Sequence, residues 1–218
     1  MTEPDVALTD YALTLECAVF CVLALRWKAT DERVRRWWLV LFASVGLGAL
    51  AGGTVHGYFL APGTAHTILW LSTLLSLGVT SLAMWVIGSY VRLREPAAAW
   101  IRRAAVAQFV VYAAVVLFVS SRFLVAIATY LPATVFLLVV MILIYEASRA
   151  RAVAYGITGL ALTFVAAAVQ QLRIGLHPVY FNHNALYHVI QGVALFLIFL
   201  SARWISTSPA PDRGGAIA

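Results

Sequence analysis

The chain has 218 residues, of which 63% are hydrophobic and only 11% are charged, and its mean hydropathy is +0.91. Soluble domains carry about 25% charged residues, so this composition excludes a soluble enzyme and a disordered chain and indicates an integral membrane protein. The net charge of +6 therefore has to be interpreted against a bilayer, and we expect no nucleic-acid partner. The only two cysteines, Cys17 and Cys21, lie in one apolar run and predict no disulfide framework.

Seven apolar runs divide the chain, and each is long enough to cross a hydrocarbon core about 30 Å thick. A backbone in lipid must satisfy its own hydrogen bonds, and the sequence lacks the alternating pattern of a β-barrel, so we predict helices. The predicted spans are residues 7–25, 37–60, 65–91, 104–120, 123–145, 152–172 and 184–204. The predicted fold class is an all-α membrane protein, a seven-transmembrane helix bundle forming a single domain over residues 1–205. Residues 206–218 are predicted to be a disordered tail.

The basic residues are distributed unequally between the two sides of these spans. Two of them, Arg122 and Arg173, fall on the side that carries the N-terminus. The other thirteen fall on the opposite side: Arg26, Lys28, Arg33, Arg35, Arg36, Arg92, Arg94, Arg102, Arg103, Arg149, Arg151, Arg203 and Arg213. Because cytoplasmic loops are enriched in Lys and Arg, this predicts an outside N-terminus and a cytoplasmic C-terminus. We expect a multi-pass protein of the plasma (inner) membrane.

Small residues are concentrated in the second span. Gly48 and Gly52 lie four residues apart, with Gly46 and Gly53 beside them. This small-xxx-small spacing allows two helix backbones to approach closely in lipid. We therefore predict tight helix packing around this span.

The few ionisable residues within or next to the spans are candidate functional residues, because they are costly to hold in a membrane. Glu16 is predicted to lie two turns into the first helix, about 10 Å below its outer end, and Asp10 lies nearer the surface. The predicted topology places both carboxyl groups, as candidate catalytic residues, in the outer half of the bundle. It places all five histidines there as well: His56, His66, His177, His183 and His188.

The start of the seventh span is the most informative segment. His183 and His188 are five residues apart, so on a regular helix they point in different directions and do not form an i, i+4 chelating pair. Asn184 and His188 share a face, which Gln191 and Gly192 continue. His183 could still contribute if the helix began only at Asn184, because the direction of a capping residue is not set by helical spacing.

This set of residues is compatible with a zinc site. Three imidazoles and a carboxylate or water satisfy tetrahedral Zn²⁺, and a hydrolytic site also needs a nearby carboxylate to transfer protons. The predicted metal ligands are His56 and His188, with His183 or His66 as the third. Thr54 and Asn184 are predicted to support these ligands, together with the candidate catalytic residues Glu16 and Asp10.

The chain has seven spans, with a carboxylate in the first, a His at the end of the second and a His-bearing start of the seventh. In these features it resembles the CREST superfamily of alkaline ceramidases, progestin/adiponectin-type receptors and Per1-like proteins. That superfamily has H-x-x-x-H on helix seven, where this chain has Asn184 to His188 with Asn in the first position. It has S-x-x-x-H on helix two, where Gly52 precedes His56. The resemblance implies a zinc-dependent hydrolase of lipid-like amide or ester substrates, with Glu16 matching the helix-one acid by position.

Two other functions remain open from the sequence. A pair such as His56 and His188 could ligate the iron of a b-type haem in an electron carrier. Alternatively, Glu16 and His188 could form a proton-linked pair in a non-enzymatic receptor or transporter. A retinal-type pump is excluded because the only lysine, Lys28, lies in a loop and no span offers a Schiff-base lysine.

Overall fold

A computed structural model of the chain describes residues 1–177 and 180–209. These residues form seven α-helices: α1 (Pro4–Leu25), α2 (Glu32–Tyr58), α3 (Thr64–Arg92), α4 (Ala97–Phe118), α5 (Phe123–Ser148), α6 (Arg151–Gln171) and α7 (His183–Thr207). All seven are long and apolar enough to cross a membrane. The predicted all-α, seven-helix class is therefore confirmed. Of the predicted tail, residues 206 and 207 belong to α7, and residues 210–218 lie outside the described part of the chain.

The helices pack mainly against their neighbours in sequence. Helix α2 lies between α1 and α3, α3 also contacts α4 and α5, and α7 packs on α6 and returns to α1. We call the end of the bundle at which α1, α3, α5 and α7 begin the His end, and the opposite end the Arg end. Stacked rings fill the core towards the Arg end, where the centroids of Phe20 and Phe199 are 4.3 Å apart and Phe42 packs edge-on against Phe199.

Two helices begin earlier at the Arg end than the sequence predicts, α2 at residue 32 rather than 37 and α4 at residue 97 rather than 104. At the start of α2 the Asp31 carboxylate accepts a hydrogen bond from the Arg33 amide at 2.9 Å, and Arg35 pairs with Glu32 one turn apart. At the start of α4 the Glu95 carboxylate accepts from the Ala99 amide at 3.1 Å. Caps and charge pairs thus extend both helices beyond their apolar runs.

The glycines of α2 lie where this helix meets its neighbours. A Cβ atom added at Gly46 would lie 3.0 Å from the Cys17 Cβ atom of α1, whereas one at Gly48 would lie 3.3 Å from the Ser76 Cβ atom of α3. The predicted close approach is confirmed, and it occurs on two faces of the same helix.

The first turn of α7 is capped and tied to α1. The Asn182 side chain accepts hydrogen bonds from the Asn184 amide at 2.8 Å and the Ala185 amide at 3.2 Å. The Asn182 amide in turn donates to the Asp5 carboxylate at 2.9 Å. The cap is therefore Asn182 and His183 is the first helical residue, so the alternative in which α7 begins at Asn184 is wrong.

Replacing Asn182 with Ala is expected to reduce the free energy of unfolding by about 1 kcal/mol, the usual cost of losing an N-cap side chain. The measurement is thermal unfolding of the purified protein in detergent. Asn184→Ala is the control, because it removes an amide side chain from the same turn and leaves the cap intact. Equal losses in the two variants would contradict the assigned cap.

Candidate functional site

A cavity of about 250 Å³ opens between α1, α2, α3 and α7 in the half of the bundle nearer the His end. We call it the His-end cavity. Gly48, Ala49 and Gly52 leave the space on the α2 side because they lack bulky side chains. The polar groups of its wall are Asp10, His56, Thr73, Gln170, Asn184, Tyr187, His188 and Gln191.

Asp10 and His188 form the central contact in this wall. The His188 Nε2 atom lies 3.2 Å from the Asp10 Oδ1 atom, and the two side chains are only 11% and 6% exposed. Asp10 sits where α1 meets α2, because a Cβ atom at Gly53 would lie only 2.7 Å from the Asp10 Cβ atom. The sequence placed Asp10 nearer the surface, whereas the structure buries it at the junction of three helices.

The other side of the imidazole is also occupied. The His188 Nδ1 atom lies 3.1 Å from the Thr9 hydroxyl, and that hydroxyl is 2.9 Å from the backbone carbonyl oxygens of Asp5 and Val6. The Thr9 hydroxyl can also accept a hydrogen bond from Nδ1–H or donate one to Nδ1, according to the tautomer of His188. In either tautomer, a hydrogen bond between Nε2 and Asp10 requires one proton shared between them. The pair thus holds one transferable proton.

The second imidazole of the cavity is held by the N-terminal segment. The His56 Nδ1 atom lies 2.5 Å from the Glu3 carboxylate, and the Glu3 amide donates to the His56 carbonyl at 3.1 Å. These contacts fix the His56 ring in the cavity wall. Glu3 and Thr9 were missed by the sequence analysis, since Glu3 precedes the first apolar run and Thr9 has no feature that marks it.

The remaining predicted ligands, His66 and His183, and the predicted supporting residue Thr54 lie elsewhere. His66 bonds to the Phe59 carbonyl at 2.8 Å, His183 stands at the start of α7, and Thr54 bonds to the Leu50 carbonyl at 2.7 Å. None of these three is among the described residues that line the cavity. Over residues 1–177 and 180–209, no group of three or more His, Cys, Asp or Glu is placed to hold a metal ion. The three-imidazole donor set of the predicted zinc site is therefore not assembled there.

Glu16 also lies outside the His-end cavity. It lines a separate groove between α1 and α7, together with Thr9, Ala12, Leu13, His188, Val189 and Gly192. We call this the lateral groove. Gly192, which was predicted to continue the face of Asn184 and His188, lies beside His188 in this groove, whereas Asn184 and Gln191 line the cavity. The carboxyl group in contact with His188 is that of Asp10, the second of the two acids predicted from the sequence.

An apolar chamber of about 90 Å³ adjoins the cavity between α5, α6 and α7. The two spaces share Val45, Leu77, Phe123, Gln170, Tyr187 and Gln191. The chamber adds apolar side chains such as Ile127 and Phe164, and it reaches Leu131, which is 45% exposed on the outside of α5. The combined space therefore has a polar end and an apolar end.

Gln191 stands at the junction of the two spaces. Its side chain is buried, and its Oε1 atom has no hydrogen-bond partner in the part of the chain that the structure describes. A buried carbonyl oxygen without a donor is costly. A ligand that brings an N–H or O–H group to this junction would satisfy it.

Fold and site together define a class, a seven-helix membrane protein with a polar cavity near one end of its bundle. Residues 6–207 match a family of unknown function, DUF6962, and the chain belongs to that family. No curated protein and no solved structure matches the chain.

Proposed function

We propose that this protein is a membrane-embedded hydrolase of lipid-like amides or esters, with its active site in the His-end cavity. The observation that carries the proposal is the Asp10–His188 contact in the wall of a space that is polar at one end and apolar at the other. An amphiphilic substrate would place its apolar chain in the chamber and its polar group beside the pair. The Gln191 Oε1 atom, which has no hydrogen-bond partner among the described residues, favours a substrate with an N–H or O–H donor.

The proposed chemistry is acid–base catalysis by the pair. A water molecule attacks the carbonyl carbon of the substrate while the Asp10–His188 pair takes one of its protons. The bond to the leaving nitrogen or oxygen then breaks, and the pair returns one proton to that atom. At the end of the cycle the pair therefore holds the same number of protons as at the start. His56, held by Glu3, is assigned to orient the substrate carbonyl.

Two substitutions test this function. Asp10→Asn and His188→Gln are each expected to lower the hydrolysis rate at least about 100-fold, the lower range of what a general acid–base group contributes. The assay uses an N-acyl amide and an acyl ester, each with one acyl chain and a fluorogenic leaving group. His66→Gln is the matched control, because that histidine does not line the cavity. Full activity in Asp10→Asn would refute the assignment.

The proposed reaction does not pass through zinc, although the resemblance to the CREST superfamily implies that metal. His56 and His188 would be its two imidazole ligands, but the third imidazole is not brought to the cavity. We expect hydrolysis to survive a strong chelator. Loss of activity on chelation, restored by added Zn²⁺, would instead identify the predicted metal enzyme.

A haem carrier is tested on the same preparation. Both nitrogens of His188 already bond within the protein, so we expect no Soret band at about 410–430 nm. A Soret band that disappears in His188→Gln would support the haem alternative.

A proton-linked receptor or transporter is the second candidate, and the proton shared by Asp10 and His188 favours it. Binding of an amphiphile without turnover, accompanied by release or uptake of a proton that is lost in Asp10→Asn, would identify this function. Turnover of the fluorogenic substrates would decide for the hydrolase.

We also propose that the Arg end faces the cytoplasm, as the excess of basic residues there suggests. A fluorescent protein fused to the C-terminus is expected to fluoresce, and alkaline phosphatase fused at the same place is expected to be inactive. The opposite pattern would reverse the orientation and place the His-end cavity on the cytoplasmic side.

A further inference from the structure

The lateral groove contains a carboxyl group that the proposed hydrolase does not use. Glu16 lies about 18 Å along α1 from Pro4, at 1.5 Å per residue, and so near the middle of a helix that spans the membrane. This is deeper than the sequence suggested, because α1 begins at residue 4 rather than 7. The groove has a volume of about 350 Å³.

Within the described residues, the Glu16 carboxyl group forms no hydrogen bond and no ion pair. On α7, a Cβ atom added at Gly192 would lie 3.2 Å from the Glu16 Oε2 atom. Gly192 and Ala12 leave the groove open, because larger side chains at these positions would fill it. The carboxyl group is therefore partly exposed in a recess between two helices.

The two helices that form this recess carry exposed apolar side chains. Val189 lines the groove itself, and Leu8 and Leu15 on α1 are 58% and 68% exposed, as Val189 and Val193 on α7 are 46% and 53% exposed. In a membrane these side chains face lipid. An acidic side chain at this depth is costly unless a partner compensates it, and a partner that reaches it from the lipid must itself be largely apolar.

We propose that the lateral groove binds an apolar amine, whose ammonium group pairs with the Glu16 carboxylate while its hydrocarbon part packs on the surrounding leucines and valines. Charge complementarity decides the class of ligand, because an ammonium–carboxylate pair is about twice as strong as a hydrogen bond between neutral groups. His188 offers the groove no further acceptor, since its Nδ1 atom bonds to Thr9. This site does not depend on the proposed hydrolase, which lies on the other side of His188.

The test uses the unmodified protein in detergent and a lipid-soluble carbodiimide, which modifies carboxyl groups reachable from an apolar phase. Peptide mass spectrometry is expected to find the modification at Glu16 and not at Asp10, which is buried. N,N-Dimethyldodecylamine, a tertiary amine that a carbodiimide cannot couple to a carboxyl group, is expected to slow the modification at least about tenfold. Dodecanol and dodecyl sulfate, which have the same chain and no ammonium group, are expected to slow it less than twofold.

Equal protection by all three compounds would overturn the proposal, because it would show occupancy of the groove without recognition of the amine. Absence of protection by N,N-dimethyldodecylamine would also overturn it. A second measurement avoids the carbodiimide: N,N-dimethyldodecylamine is expected to raise the unfolding temperature of the wild-type protein and of Glu146→Gln, a control carboxyl at the Arg end, but not that of Glu16→Gln. If Asp10→Asn loses hydrolysis while the amine still protects Glu16 from the carbodiimide, the two sites are independent of each other.

Discussion

Replacing Gly159 with Ala is expected to lower the free energy of unfolding by about 3 kcal/mol, at the upper end of the usual cost of overpacking. A Cβ atom at this position of α6 would lie 2.6 Å from the Ala194 carbonyl oxygen and 3.1 Å from the Ile198 amide nitrogen of α7. Both are backbone atoms of a helix, so no side-chain rotation relieves the clash. The measurement is thermal unfolding in detergent.

Gly63→Ser is the control for this substitution. Apart from the two adjacent residues, no described residue has a heavy atom within 4 Å of a Cβ atom placed at Gly63. Ser is a preferred residue at the N-cap position that Gly63 occupies before α3. Its unfolding temperature should be unchanged or slightly higher. If Gly159→Ala were as stable as this control, the close contact between α6 and α7 would be wrong.

Replacing Gly53 with Ala is expected to lower the hydrolysis rate at least about 100-fold, as Asp10→Asn does, and to cost about 2 kcal/mol of stability. The added Cβ atom would lie 2.7 Å from the Asp10 Cβ atom and 3.2 Å from the Ala7 carbonyl oxygen of α1. Relieving this contact moves α1 away from α2 and carries Asp10 away from His188. The measurements are the fluorogenic assay and thermal unfolding.

The adjacent Gly52 provides the matched control for stability. Its Cβ atom would lie 3.5 Å from the Asp10 Oδ2 atom and 3.7 Å from the Thr73 Oγ1 atom, which are ordinary contact distances. Gly52→Ala is expected to be at least as stable as the wild type, because Ala is the better helix former by roughly 0.5–1 kcal/mol. Equal destabilisation at the two neighbouring positions would contradict the assigned helix faces.

His188 links the two proposed sites by its position. Its Nε2 atom faces Asp10 and the His-end cavity, and its Nδ1 atom faces Thr9 and the lateral groove. The imidazole therefore forms part of the wall between an internal space and the lipid-facing surface. This arrangement explains how one histidine contributes to two surfaces for which we propose different ligands.

The sequence by itself determined the class of the protein. A 63% hydrophobic chain with seven apolar runs can satisfy its backbone in lipid only as helices, and the structure describes seven of them. The distribution of the histidines and arginines along the runs also assigned all five histidines to one end of the bundle and most of the arginines to the other. Helical spacing placed Asn184, His188 and Gln191 on one face, because that spacing is a local property of the chain.

Contacts between distant helices were decided only by the tertiary structure. Asp10 and Glu16 are both acids of α1, and nothing in their local sequence indicates which one contacts the His188 side chain of α7. Packing decides it, because Gly53 admits Asp10 to the junction with α2 and α7, whereas Glu16 lies against Gly192 in the lateral groove. His66 and His183 also lie at the predicted end of the bundle, but neither lines the cavity. His66 bonds to the Phe59 carbonyl, and His183 is the first residue of α7. Helical period fixes a side chain's face, and close packing between helices fixes its partner.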